Sequence, residues 1–490
     1  MEENPFMRVV WYQKGFPTLH DTAVVPVEPS TYLASPRPAS ASLAQHIVAV
    51  LQELLVQSQA SSSSLMTSGK RPRGRPPTLP LEQLWLALLI GVIRQAKHLS
   101  TIWRTLCLET TGSYAVVQVS YEAVRKRLLA AGTAPLQRLF ETISQALEQR
   151  ALSHPPSALP LAPFASQIVA LDETTLDHLP RLTQDLREVP DGDPHRIPGK
   201  VAGLFDLRLQ RWIRVQFRAD VLAGCNTGIL LLLEALAPGS LILADLGSFG
   251  FPWFDSLTDQ GFFWVWRLKA KTTYEIKEVL AYDDHSGTLD AIVWLGTSRA
   301  DRAAHAVRLV IFSFRGIQYR YLTNVLHPQQ LSMQEIAQLY SRRWDIELAF
   351  KLLTCELGLH FWWGARTEVV MIQLWLALIL AQVLHALQAH VALQAEVEPF
   401  DVSMHLLVDL LGTMPDGSTP VLERLVQQGR FLGLIRPSTR IQVVVPSVPP
   451  QTLRPTLTLA DLVRRARYAQ RNRYPRIAPF FSRFTTQLLL

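Results

Sequence analysis

Cysteine is scarce in this chain of 490 residues: Cys107, Cys225 and Cys355 are the full set, and they lie far apart. Such spacing excludes a disulfide framework and a zinc knuckle built on paired cysteines, and it fits a reducing compartment. The first thirty residues lack a basic start followed by an uninterrupted apolar core, so no secretory leader is expected. A long apolar run free of polar residues is missing too. The most apolar stretch, Val369 to Leu387, contains Gln373, Gln382 and His385, which suits a buried helix better than a membrane span. There is no evident internal repeat. These absences together predict a soluble, cytoplasmic protein with no membrane partner. Acidic residues are the minority charge, 41 against 48 Lys and Arg, for a formal +7. A basic balance favours an anionic partner and says nothing about fold. With 48% hydrophobic residues, the chain is long enough for several cores, and two to four domains are expected.

Pattern changes along the chain mark its organisation. Residues 1–42 are proline-rich, and Leu43 to Gln57 reads as one amphipathic helix with Ser42 as its cap. A serine run and the basic segment Lys70 to Pro80 follow as a linker. From Leu81 to Ser153 the pattern is helical. The middle of the chain then turns to strands. Gln167 to Leu171 is a short apolar strand ending at Asp172, and Val201 to Leu209 with Trp212 to Arg218 forms a hairpin. Thr227 to Leu236 is helical, Leu241 to Ala244 is a buried strand ending at Asp245, and Phe262 to Leu268 is another strand. That order predicts a mixed sheet with helices packed on it. Residues 271–325 return to short strands, a long helix runs from about Gln334 to Leu357, and an apolar helix covers about 369–390. The last ninety residues read as helical with an arginine-rich end.

Two carboxylates at strand ends, Asp172 and Asp245, can project into one cleft while their strands are fixed in the core. Hard cations such as magnesium take a few oxygen ligands and retain waters. Two such ions about 4 Å apart can activate a hydroxyl and stabilise the leaving oxygen of a phosphodiester. Either Asp alone is better explained as a turn cap. A third element changes the balance. The helix carrying Tyr340-Ser-Arg-Arg-Trp-Asp-Ile-Glu347 opens with a capping-box pattern, Ser332-Met-Gln-Glu335, and closes before Gly358. At about 100° per residue, Tyr340, Arg343, Glu347, Lys351 and Thr354 fall within about 40° of one line. Leu339, Ile346, Phe350, Leu353 and Leu357 form the neighbouring apolar stripe. Spacing alone also admits a solvated face of intrahelical ion pairs.

Tyr340, Arg343 and Glu347 resemble the start of the Tyr-x2-Arg-x3-Glu-x6-Lys signature of DDE-type transposases of the insertion-sequence-four family. Asp245-Leu-Gly-Ser-Phe is similar to the block around their second catalytic Asp, and Asp172-Glu-Thr-Thr to the block around the first. The resemblance covers roughly residues 165–360, in the right order. It implies an α/β fold: a ribonuclease-H-like catalytic core with a β-rich insertion, flanked by helical N- and C-terminal regions. It implies that Asp172, Asp245 and Glu347 are catalytic and hold two magnesium ions, with manganese as a substitute. It further implies that Tyr340 and Arg343 grip DNA near the cut. The family lysine is replaced by Thr354, and Lys351, one turn after Glu347, is the candidate to supply that cation. Glu173 should point away from the Asp172 side, because side chains alternate along a strand.

The resemblance implies double-stranded DNA as partner, both terminal inverted repeats and target, with a homodimer on DNA and association with the nucleoid. Arg73 and Arg75, in Arg73-Gly74-Arg75-Pro76, resemble the core of an AT-hook, whose arginines enter a narrow minor groove. Arg94, Lys97, Arg104, Arg125, Lys126 and Arg127 are candidate phosphate contacts, which set register without reading sequence. The arginines from Arg464 to Arg476, among Tyr468 and Tyr474, suit either DNA or solvent. The expected divisions are a flexible region with one helix over 1–80, a helical DNA-binding domain over 81–160 and a first core part over 161–270. The β-rich insertion then covers 271–325, the second core part 326–400 and a helical basic region 401–490. A non-catalytic DNA-binding descendant and a metal-dependent nuclease are the competing readings. A two-carboxylate glycoside hydrolase explains neither the Tyr/Arg/Glu helix nor the Arg-Gly-Arg-Pro segment.

Overall fold

A computed structural model of the chain describes residues 78–153, 161–176, 199–218, 229–297, 302–364, 366–413, 421–438 and 442–448. The helix expected over Leu43 to Gln57, the segment with Arg73 and Arg75, and the arginines from Arg464 to Arg476 lie outside the described residues.

Leu81 to Ser153 is helical, in four pieces: α1 (Leu81–Ile93), α2 (Leu99–Leu108), α3 (Tyr121–Ala131) and α4 (Ala134–Ser153). Leu84 to Leu89 are all fully buried, as an all-round apolar helix must be. The Ser120 hydroxyl caps α3 by accepting the Ala123 N–H, and Gly132, at φ +63°, ends it. Both are ordinary helix start and stop chemistry.

The strands are β1 (Ile168–Thr175), β2 (Lys200–Asp206), β3 (Arg211–Arg218), β4 (Leu241–Ala244) and β5 (Phe263–Arg267). Helices α5 (Ile229–Leu233) and α6 (Phe251–Asp259) connect them in the expected order. Four more strands follow: β6 (Tyr274–Asp283), β7 (Thr288–Leu295), β8 (Val307–Phe314) and β9 (Ile317–Thr323). All nine form one sheet in the order β3-β2-β1-β4-β5-β9-β8-β7-β6. Strands β1, β4 and β5 run parallel to one another, and the remaining pairs are antiparallel. Residues 271–325 are therefore β-rich as expected, and their strands continue the main sheet through β9 against β5.

One strand boundary differs from the sequence expectation. β1 does not stop before Asp172 but runs on to Thr175, because β2 supplies ladder partners there, with Asp172 opposite Gly203 and Thr175 opposite Lys200. A polar run reads as a turn until its pairing partner is known.

Alternation along the central strands feeds two cores. Ile168 and Ala170 of β1, with Leu241 and Leu243 of β4, face one core, while Val169, Leu171, Ile242 and Ala244 face the other. The first core also holds Ile336, Leu339, Ile346 and Phe350. These belong to α7 (Met333–Arg342) and α8 (Trp344–Lys351), two nearly continuous helices followed by a π-helical turn at Leu352–Glu356. The predicted capping box is present at Ser332 and Glu335, and Gly358 adopts φ +70° past the end.

The apolar stretch becomes α9 (Thr367–Gln394), long and apolar enough to cross a membrane, yet 83% of its apolar window is buried in the protein. Its polar residues explain themselves by hydrogen bonding. The Gln382 amide accepts the Trp212 N–H at 2.8 Å and donates to Trp212 O at 2.9 Å and Ser144 Oγ at 2.7 Å. Gln373 likewise donates to Phe361 O and accepts from the Trp363 N–H. Helices α10 (Met404–Thr413) and α11 (Val421–Gln428) follow and pack on α9.

Candidate active site

In the parallel pair β1–β4, Leu171 lies opposite Ala244. The next residue on each strand is Asp172 and Asp245, so the two carboxylates leave neighbouring strands at one level. By side-chain alternation, Asp172 and Asp245 share the face of Ala170 and Leu243, the face on which α7 and α8 pack. Glu173 belongs to the other face, as expected, and pairs there with Lys200 at 2.9 Å and Arg218 at 3.3 Å. The Asp172 carboxylate accepts the Glu173 N–H at 2.8 Å.

Beyond β4, Asp245 caps a short 3-10 turn, Leu246–Ser248, and its carboxylate accepts the Gly247 N–H at 2.8 Å. A Cβ at position 247 would stand 3.1 Å from Asp245 Oδ1. That is close enough to press on the carboxylate, which gives the glycine of the Asp-Leu-Gly block a physical reason.

The helices add the remaining groups. Arg343, at the junction of α7 and α8, holds Glu347 at 2.8 Å, one turn along. The ring of Tyr340 stacks obliquely on Tyr321, centroids 4.9 Å apart, and its hydroxyl donates to Ala244 O at 3.4 Å. Tyr340 thus touches the carbonyl just before Asp245. Burial pushes its phenol up to about 12, so it remains a donor at neutral pH.

The electrostatics tie the three carboxylates together. Burial, with the negative charges of Asp245 and Glu347, pushes Asp172 up to about 7, against an opposing pull from Arg343. Burial also raises Glu347, again opposed by Arg343. Burial works against the charge of Arg343, but Tyr340, Glu347 and Asp172 more than offset it. Three mutually repelling carboxylates around one guanidinium form a donor set that suits a hard cation in kind. Among the described residues, no group of three or more His, Cys, Asp or Glu side chains is gathered closely enough to hold a metal ion. Glu347 is instead engaged by Arg343.

One expectation from the helical wheel comes out differently. Thr354 is not on the Glu347 face. It is fully buried, with its hydroxyl on Phe350 O at 2.9 Å. The π turn containing it has more residues per turn than an α-helix, which carries Thr354 inward from the position that uniform rotation assigns. Lys351 is exposed, and its charge is felt by Cys355, whereas the cation felt by Asp172 and Glu347 is Arg343.

Of the basic candidates on the N-terminal helices, Arg94 pairs with Glu109, Arg125 pairs with Glu122, and Lys97 sits over the Phe361 ring at 4.9 Å. Arg104 and Lys126 are exposed, and Arg127 is half-buried. The sequence pattern did not single out Arg342 and Asp345, which flank Arg343 and bond to the β2–β3 turn. Only a contact across 135 residues reveals them.

Residues 164–384 match a family model described as "Transposase DDE domain". No curated protein matches the sequence. Among solved structures, the fold is similar to a piggyBac transposase in a synaptic complex with hairpin DNA, at a TM-score of 0.38 and 10% identity, covering 83% of this chain and 88% of that one. A likeness of that size says nothing about mechanism. The matched stretch contains β1, β4, the helices bearing Tyr340, Arg343 and Glu347, and most of α9, and over these residues the chain is similar to a DDE-type transposase domain.

Proposed function

We propose that the protein is a transposase that cleaves the ends of an insertion element and joins them to target DNA, with Asp172, Asp245 and Glu347 as its catalytic carboxylates. The observation that carries this reading is the register of β1 against β4, which sets two Asp side by side beneath the helix that bears Glu347. Asp172, Asp245 and Glu347 would hold two magnesium ions, or manganese in their place, which when bound supply the charge that activates the attacking oxygen and steadies the leaving one. Asp172, half-protonated near neutral pH without a cation, gives up its proton on binding one. Arg343 exchanges its bond to Glu347 for a phosphate oxygen of the DNA. Tyr340 holds the β4 end through Ala244 O and contacts the strand near the cut. Water hydrolyses the phosphodiester at the element end and frees a 3′-hydroxyl. That hydroxyl then attacks a target phosphodiester, one ester bond replacing another, so no external energy source is needed. Lys351, exposed one turn after Glu347, reaches the backbone outside the carboxylates.

The finer assignment, to the insertion-sequence-four group with strands β6–β8 as its β-rich insertion, rests on the Tyr340, Arg343 and Glu347 spacing. Double-stranded DNA engages the helices over 81–160 and the segment with Arg73 and Arg75. Two protomers join two ends as a homodimer on DNA.

The buried Thr354 favours a second reading, a DNA-binding descendant that no longer cuts. Cleavage of a labelled duplex carrying the element's ends separates the two. The expected outcome is a magnesium-dependent 3′-end cut by the wild type, absent with chelator and lost in Glu347→Gln with DNA binding retained. Binding without cutting by the wild type overturns the catalytic reading.

A further inference from the structure

The helix bearing Glu347 is interrupted at Arg343, between α7 and α8. Arg343 keeps helical dihedrals, but its N–H turns to Tyr340 O three residues back, so contacts from outside the helix help to set where α8 points and how far Glu347 reaches. The residues on either side of the break are tied to the sheet. Asp345, 3% exposed, accepts the Gln210 side-chain amide at 3.0 Å and the Arg342 Nε–H at 3.3 Å. Both donors also bond one backbone atom: the same Gln210 Nε2 donates to Leu207 O at 3.0 Å, and Arg342 Nη2 donates to Leu207 O as well. Leu207 and Gln210 belong to the β2–β3 turn, which is itself held by Asp206, whose carboxylate accepts the Arg208 and Leu209 N–H groups at 2.8 and 2.9 Å.

We infer that Asp345 is a positioning residue, the point at which the Glu347 helix is locked to the sheet that carries Asp172. The chain of connection is short. β2 is hydrogen-bonded to β1 along its whole length, with Gly203 opposite Asp172. Asp345 therefore fixes α8 to the hairpin adjoining the Asp172 strand. Asp345 and Glu347 are two residues apart and so face different sides of α8, one clamped inward and one turned to the carboxylate cleft. A buried carboxylate bonded by two donors that share a second acceptor is a cross-linked network. Such a network defines one geometry and leaves few alternatives. Loss of Asp345 leaves α8 packed through Ile346, Ala349 and Phe350, all buried, but without its tie to the β2–β3 turn.

This inference rests on the proposed catalytic trio and makes a separate demand on it. Cation binding is read by the rise in melting temperature on titrating manganese into the full-length protein without DNA. DNA affinity is read by mobility shift with chelator, and cleavage by its dependence on magnesium concentration. For Asp345→Ala the expected result is at least a tenfold rise in the half-saturating concentration of both metals, with DNA affinity within twofold of wild type. Asp345→Asn, which keeps an acceptor for Gln210 but has no charge for Arg342, falls between. Gln210→Met shifts the same readouts in the same direction and serves if Asp345→Ala does not fold. A folded Asp345→Ala or Gln210→Met protein with wild-type metal dependence overturns the positioning role, since a purely structural residue lowers stability and leaves metal affinity alone. A wild-type protein that shows no manganese-induced shift overturns the carboxylate trio itself, and the positioning role with it.

Discussion

Asp172→Asn removes a charge that the fold resists. In the folded protein Asp172 titrates at about 7, from an ordinary value of 3.8, mainly because it is buried and secondarily because Asp245 and Glu347 face it. A raised carboxylate pKa means that the folded state binds more protons than the unfolded one between about pH 4 and pH 7. Stability contributed by the neutral form is present at low pH and is lost as pH rises through that window. Above pH 7 the full penalty remains: about three pH units at 1.36 kcal/mol each, or about 4 kcal/mol as an upper bound. Asp172 is not sealed from solvent, so about half of that, ~2 kcal/mol, is the working figure. Asparagine keeps an oxygen for the Glu173 N–H and carries no charge. In chelator at pH 8, Asp172→Asn should therefore be more stable than wild type by about 2 kcal/mol, which is several degrees of melting temperature. At pH 4 the difference should disappear. Magnesium should raise the wild-type melting temperature and leave the variant nearly unmoved, because ligand binding stabilises only a state that binds it. Urea denaturation at the two pH values, with and without magnesium, reads all of this. Equal stabilities at pH 8, or a difference that does not depend on pH, would refute the reasoning.

Other expectations rest on different contacts. Arg308 is fully buried and gives Asp290 two hydrogen bonds, at 2.7 and 2.6 Å, with a third to Leu331 O. Arg308→Met should cost about 3–5 kcal/mol by stranding Asp290, and adding Asp290→Leu should recover most of it, as urea midpoints would show. Gly247→Ala should lower the cleavage rate several-fold through pressure on Asp245, while changing stability by less than about 1 kcal/mol. Burial pushes His385, packed against the Phe205 ring, down to about 4. The folded state then binds fewer protons than the unfolded one, so stability is lost as pH falls from about 6.5 towards 4. His385→Leu should flatten that acid limb by up to about 3 kcal/mol in a pH series of melts.

The site was legible where local pattern and chemistry coincide. Asp172 and Asp245 stand at or near the ends of apolar runs, and their strands formed there because Leu241 to Ala244 and Ile168 to Leu171 are apolar enough to be buried on both faces. Ser332 and Glu335 announced a helix start that the protein uses. What escaped depends on partners remote in sequence. Nothing within Asp172 to Thr175 says strand until β2 pairs with it. Thr354 was assigned to the Glu347 face by counting 100° per residue, and a π turn has a different count. Asp345 reads as one more charge on a helix, and its burial follows only from Gln210 and Leu207, contributed by a hairpin far upstream. Periodicity reports faces of single elements; it is blind to defects in the helix and to clamps between elements.

The chain leaves β5 at Arg267 and returns beside it at Tyr321, with the Leu268 N–H bonded to Arg320 O where the two meet. Departure and arrival share one spot on the sheet, and the segment between them is tied down again at α6, where Asp255 accepts the Ala304 and His305 N–H groups. Strands β7 and β8 also share a core with Val169, Leu171, Ile242 and Ala244, and Arg308 of β8 bonds Leu331 O just before the Ser332 cap of α7. A change in the outer strands can therefore reach the start of the Glu347 helix through Arg308 and Leu331 O, and is not confined to the far edge of the sheet.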